Sequence, residues 1–96
     1  MNLELNIENK DWKFKRYDHD FNDVHYVFTF DNGYSASIIK NKYSYGGDKD
    51  LWELAVLKDG DLCYDTPITD DVIGYLTDKE VNELLRRIEQ LEGEQQ

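Results

Sequence analysis

The chain has 96 residues, of which 40% are hydrophobic, 33% charged and 14% aromatic. It carries 21 acidic against 11 basic residues, for a formal charge of -10. This length holds one core and one domain, 1–96, and the aromatic content excludes a disordered acidic tail.

Residues 1–10 are polar and either weakly ordered or a short first strand, because Leu3, Leu5 and Ile7 alternate with Glu4 and Asn6. Trp12, Phe14 and Arg16 alternate with Lys13, Lys15 and Tyr17, the pattern of a half-buried strand with lysines on its open side. Asp18 to Asp23 reads as a polar loop interrupted by Phe21. Val24, Tyr26, Phe28 and Phe30 line one face of a strong strand, and Tyr34, Ala36 and Ile38 line the next. A three-residue turn with Gly33 left-handed pairs Phe30 with Tyr34, Phe28 with Ala36 and Tyr26 with Ile38. Asn41 to Asp50 is a longer loop. Leu51 to Leu57 is apolar on both faces except at Glu53, as a central strand requires.

Lys58-Asp59-Gly60 predicts a second three-residue turn, aligning Val56 with Leu62 and Leu54 with Tyr64. Pro67 stops the sheet, and Thr69 to Val72 opens a short helical turn ending near Gly74. Thr77-Asp78-Lys79-Glu80 is a capping box. Val81, Leu84, Leu85, Ile88 and Leu91 follow at helical spacing, and Gly93 is a stop. The expected fold is α+β: an antiparallel meander of about four to five strands over 12–64, with a C-terminal helix over 77–92 packed on one face.

Charge is unevenly placed. Residues 1–47 hold 7 acids and 6 bases, while 48–96 hold 14 acids and 5 bases. Between Asp59 and Asp78 there are six acids, Asp59, Asp61, Asp65, Asp70, Asp71 and Asp78, and no base. Such a face repels a phosphate backbone, which needs Lys and Arg, and attracts a basic protein surface. Direct nucleic-acid binding is therefore not expected. A second candidate is the loop with Lys40, Lys42, Tyr43, Tyr45, Gly46 and Gly47, where tyrosine can stack on a base and glycine amides can approach a phosphate.

Asp18, His19, Asp20, Asp23 and His25 have metal-ligand chemistry without a diagnostic spacing, and no metal or other cofactor is expected. Asp70-Asp71 suits a helix start as well as acid–base work. The single cysteine, Cys63, has no histidine close in sequence and cannot form an intramolecular disulfide, which suits a reducing compartment. No nucleophile–base pair is evident, so an enzyme is not expected. The N-terminus lacks the pattern of a signal peptide, and no apolar run reaches the roughly 20 residues of a membrane helix. The expected location is the cytoplasm.

The segments Tyr43-Ser44-Tyr45-Gly46-Gly47-Asp48, Leu51 to Leu57 and Leu62 to Leu76 resemble small accessory proteins of phages and prophages of Gram-positive bacteria. The resemblance carries no catalytic residue across. It implies action on host machinery, restriction and CRISPR defence included, with carboxylates standing where DNA phosphates would lie. The leading expectation is thus a DNA-mimicking inhibitor or modulator of a host nucleic-acid-binding protein, acting in the host cytoplasm. The alternatives are a binder of a nucleotide signal at the tyrosine–glycine loop and a virion or assembly component, with homodimerisation possible through surplus apolar surface.

Overall fold

The structure, a computed structural model, describes residues 3–20, 22–59, 61–62 and 72–91. Strands β1 (Lys13–Asp20), β2 (Asp23–Thr29), β3 (Tyr34–Lys40) and β4 (Trp52–Lys58) form an antiparallel meander in sequence order. Two short strands, β5 (Asp61–Leu62) and β6 (Ile73–Leu76), both pair with β4. Helix α1 (Asp78–Glu89) covers one face of the sheet.

The period-two pattern explains the layering. Val24, Tyr26, Phe28, Ala36, Ile38, Trp52, Leu54 and Val56 are buried on the helix side. Their neighbours His25, Val27, Ser37, Ile39 and Ala55 are half-buried on a second, open face. The β2–β3 register is the expected one, with Tyr26 opposite Ile38 and Phe28 opposite Ala36. Gly33 takes φ 89°, and the Phe30 amide donates to Tyr34 O.

Four expectations change. β1 extends through Asp18 and His19 to Asp20, because Asp18 pairs with Val24 and the hairpin closes within two residues, Asn22 taking φ 57°. At the β4–β5 turn Leu57 pairs with Leu62 and Lys58 with Asp61, a two-residue loop that shifts the register by one. Asp59 adopts φ 54°, a left-handed conformation at this turn. The helical turn expected to end near Gly74 is not seen there: Ile73 to Leu76 are strand β6, which continues along β4 where β5 stops, with Leu76 opposite Trp52 and Ile73 opposite Leu54. Thr69 to Asp71, where that turn is expected to open, lie outside the described residues. The proposed pairing of Leu54 with Tyr64 is thereby replaced, Tyr64 itself lying outside the described residues.

The fourth concerns the N-terminus. Leu5 and Ile7 are buried and Glu4 and Asn6 exposed, yet residues 3–8 form no strand. Side chains replace the ladder. The fully buried Asn82 of α1 accepts from the Glu8 amide (2.9 Å) and donates to Asn6 O (2.7 Å), mimicking a peptide group of a neighbouring strand. Asp78 Oδ2 accepts from the Asn6 amide, and Tyr26 Oη from the Leu5 amide.

Both helix ends are tied down. Thr77 and Glu80 form the expected capping box. At the other end Asn32, from the β2–β3 turn, donates to Ile88 O and Leu91 O, satisfying carbonyls that a helix terminus leaves open. Val81, Leu85 and Ile88 are fully buried, whereas Leu84 and Leu91 are half-buried at the margin of the core.

Asn82→Ala removes both long-range bonds and strands two backbone groups. It is expected to destabilise the fold by roughly 3 kcal/mol, measured as a lower urea midpoint with an unchanged slope.

Candidate functional site

The sheet order places the tyrosine–glycine loop and the described ends of the acidic stretch, in β5 and β6, beside β4. The loop from Asn41 to Asp50 joins β3 to β4 and is closed by its own bonds. Asn41 Oδ1 accepts from the Tyr43 and Ser44 amides, and Gly47 N donates to Ser44 O. Lys40 is withdrawn from the surface: it is 1% exposed, its Nζ lies 4.2 Å from the centre of the Trp52 ring, and it pairs with Asp50 at 3.1 Å. Its charge is thus spent inside the fold and not presented to a ligand.

The two glycines are packing residues. Gly46 takes φ 94°, and a Cβ there would stand 2.8 Å from Tyr75 Cα. A Cβ on Gly47 would collide with Asn41 O. Gly46 lets the loop lie directly against β6, where the Tyr75 amide donates to Tyr45 O, and Gly47 lets the loop close on Asn41. What the loop does present is aromatic: Tyr43 is 83% exposed and Tyr45 59%. Lys42 also remains at the surface, its Nζ 5.1 Å from the Tyr43 ring centre.

Tyr75, 56% exposed, was not singled out by sequence. Gly74 and Tyr75 together oppose the single residue Glu53, a β-bulge that adds one residue to β6. Tyr75 itself takes φ 59°, a left-handed conformation that costs a bulky side chain about 1–3 kcal/mol. The Gly46 contact and the Tyr75–Tyr45 backbone bond hold it there. The sequence signal was the run Ile73-Gly74-Tyr75-Leu76, whose glycine marks the bulge.

The six acids divide. Asp59 is exposed at the β4–β5 turn, and its amide donates to Gly33 O, joining the two hairpin turns. Asp61 lies in β5 opposite Lys58. Asp65, Asp70 and Asp71 lie outside the described residues, as does Cys63; the chain enters that stretch from β5 and leaves it into β6, both paired to β4. Asp78 is committed inward: Oδ1 accepts from Trp52 Nε1 at 2.7 Å while Oδ2 holds the Asn6 amide.

On the open face, Tyr17, His19 and His25 stack, with the histidine rings 5.9 Å apart. His25 Nε2 lies 2.7 Å from Ser37 Oγ. Burial lowers the His25 pKa first and the neighbouring His19 charge second, against the opposing pull of Asp23. A neutral imidazole beside a hydroxyl has the composition of a nucleophile–base pair. Acyl transfer also needs amide donors for the oxyanion, and β2 and β3 are interior strands whose amides serve the ladders on both sides. Among the described residues, no three His, Cys, Asp or Glu side chains converge on a metal-sized site, and no helix is long and apolar enough to cross a membrane.

The chain matches no protein-family model, and no curated protein or solved structure resembles it at a significant level.

Tyr75→Gly relieves the left-handed strain at a side chain that is mostly in water. It is expected to raise stability by about 1 kcal/mol, read from denaturant unfolding. His25 supplies a pH signature. Its folded pKa lies below the ordinary 6.5, so its contribution is complete above that value and declines as pH falls through the lowered folded pKa. The thermal midpoint should drop over that window, and His25→Gln should flatten the drop.

Proposed function

We propose that this protein is a non-catalytic binding protein whose acidic β4–β6 edge docks on a basic, nucleic-acid-binding surface of another protein. The observation that carries the reading is the meander itself. Sequence order becomes spatial order across the sheet, so Asp59 at the β4–β5 turn and Asp61 in β5 stand at the edge opposite β1, and the acid-rich stretch between β5 and β6 leaves and rejoins the sheet along β4. Acids on that edge would steer a basic partner to it.

The tyrosines give that edge anchors. Tyr43, Tyr45 and Tyr75 are exposed around β6, next in sequence to Asp70 and Asp71. Tyrosine supplies large contact area at low entropy cost and is enriched among residues that carry binding energy. The strain retained at Tyr75 suits a residue kept for contact. The partner class, a host restriction or CRISPR-type nuclease or another DNA-binding protein, follows from the phage-type resemblance together with the acidic edge. Binding a nucleotide at the Tyr43–Gly47 loop is the weaker reading, because Lys40 is buried and the Gly47 amide is already bonded.

The test is capture of partners on the tagged protein, with elution by rising salt and by duplex DNA. A nucleic-acid-binding partner that leaves with salt and is displaced by DNA is the expected result. The double change Asp70→Asn, Asp71→Asn should weaken that partner at least tenfold, about 1.4 kcal/mol, and Tyr75→Gly should weaken it without loss of stability. A partner held equally by the wild type and both variants would refute the acidic-edge reading.

A further inference from the structure

The opposite edge of the sheet carries an independent inference. β1 is an eight-residue edge strand, Lys13–Asp20, in regular register with β2 from Lys13 to Asp18 and bulged between Asp18 and Asp20, and has no strand beyond it among the described residues. Its outward backbone groups are a template for another strand. Phe14 and Tyr17 on it are 44% and 43% exposed. The other edge is unsuited to this role, since it is broken into β5 and β6.

We infer that β1 pairs antiparallel with β1 of a second copy, making one sheet continuous through a twofold dimer. The sequence of β1, Lys-Phe-Lys-Arg-Tyr-Asp-His-Asp, sets the register. An antiparallel edge-to-edge pair has its twofold axis normal to the sheet, so each face stays on its own side and one residue must sit opposite its own copy. Centring on Arg16 sets arginine against arginine. Centring on Asp18 sets aspartate against aspartate. Centring on Tyr17 sets tyrosine against tyrosine, and twice sets Arg16 opposite the partner's Asp18.

Within one chain Arg16 Nε already donates to Asp18 Oδ1 at 2.9 Å. Arg16 Nη1 also donates to Glu4 Oε1 at 3.0 Å, so the dimer would bring the partner's Asp18 to a guanidinium already holding two carboxylates of its own chain, an opposite-charge cross-strand pair. Lys15, which would deter pairing with another lysine, falls opposite the partner's His19. Charge on β1 itself does not oppose the association, since Lys13, Lys15 and Arg16 stand against Asp18 and Asp20. Asp61 in β5 lies about four strand spacings from β1, roughly 19 Å, and so about two screening lengths away at 0.1 M salt.

Sedimentation equilibrium and cysteine cross-linking on the full chain test this pairing without touching the acidic edge. The wild type is expected to sediment at twice the 11.4 kDa chain mass. Asp18→Lys should weaken dimerisation at least tenfold with an unchanged circular dichroism spectrum. The reversal Arg16→Asp, Asp18→Arg should restore it. In a Cys63→Ala background, Tyr17→Cys should oxidise to a covalent dimer and Lys15→Cys should not. A monomer at every concentration, a dimer indifferent to Asp18→Lys, failure of the reversed pair to recover, or cross-linking no better at position 17 than at 15 would each overturn the inference.

Discussion

The Asp78 carboxylate joins the three parts of this fold. Asp78 opens the helix, where a negative charge is favoured by the helix dipole. One of its oxygens accepts from the indole of Trp52 at the start of β4, and the other from the Asn6 amide in the N-terminal segment. Trp52 is fully buried, with the Lys40 ammonium over its ring and Tyr26 edge-on at 5.7 Å. Helix, sheet and N-terminal segment therefore share one charged group. Breaking a partly buried charge network of this kind costs more than its pairwise sum, because each remaining partner is left desolvated.

Around this junction the fold uses side chains where a larger protein would use backbone. Asn82 supplies the N-terminal segment with the amide contacts of an absent strand, and Asn32 supplies the helix end with donors from a hairpin turn. A small domain buries a limited share of its surface. Each such bond also fixes orientation, since an amide side chain satisfies its donors and acceptor in only a narrow geometry. The result is a two-layer domain with an open second sheet face, where His25, Ser37 and Ile39 stay partly accessible.

The two edges of the sheet divide the surface chemistry. The β4 side carries Asp59, Asp61 and the exposed Tyr43, Tyr45 and Tyr75, with strain stored in the Tyr75 bulge. The β1 side carries a strand whose charges are complementary to themselves on reversal.

The sequence by itself determined the local and periodic features. Alternation at Val24 to Phe30 and Tyr34 to Ile38, the Gly33 turn, and the Thr77–Glu80 box follow from contacts within a few residues, so they are written in the chain. The meander and its C-terminal helix follow from the same patterns, and so does the charge asymmetry. The tertiary structure alone decided the rest. A one-residue difference at Asp59 changed the last register, and the split of the final strand into β5 and β6 depends on which part of β4 remains unpaired. Lys40 and Asp78 look like surface charges in sequence, but distant partners, Trp52 and Asn6 among them, draw them inward. Tyr75 and the His25–Ser37 pair likewise acquire their character from β-bulge geometry and cross-strand neighbours, which no local pattern encodes.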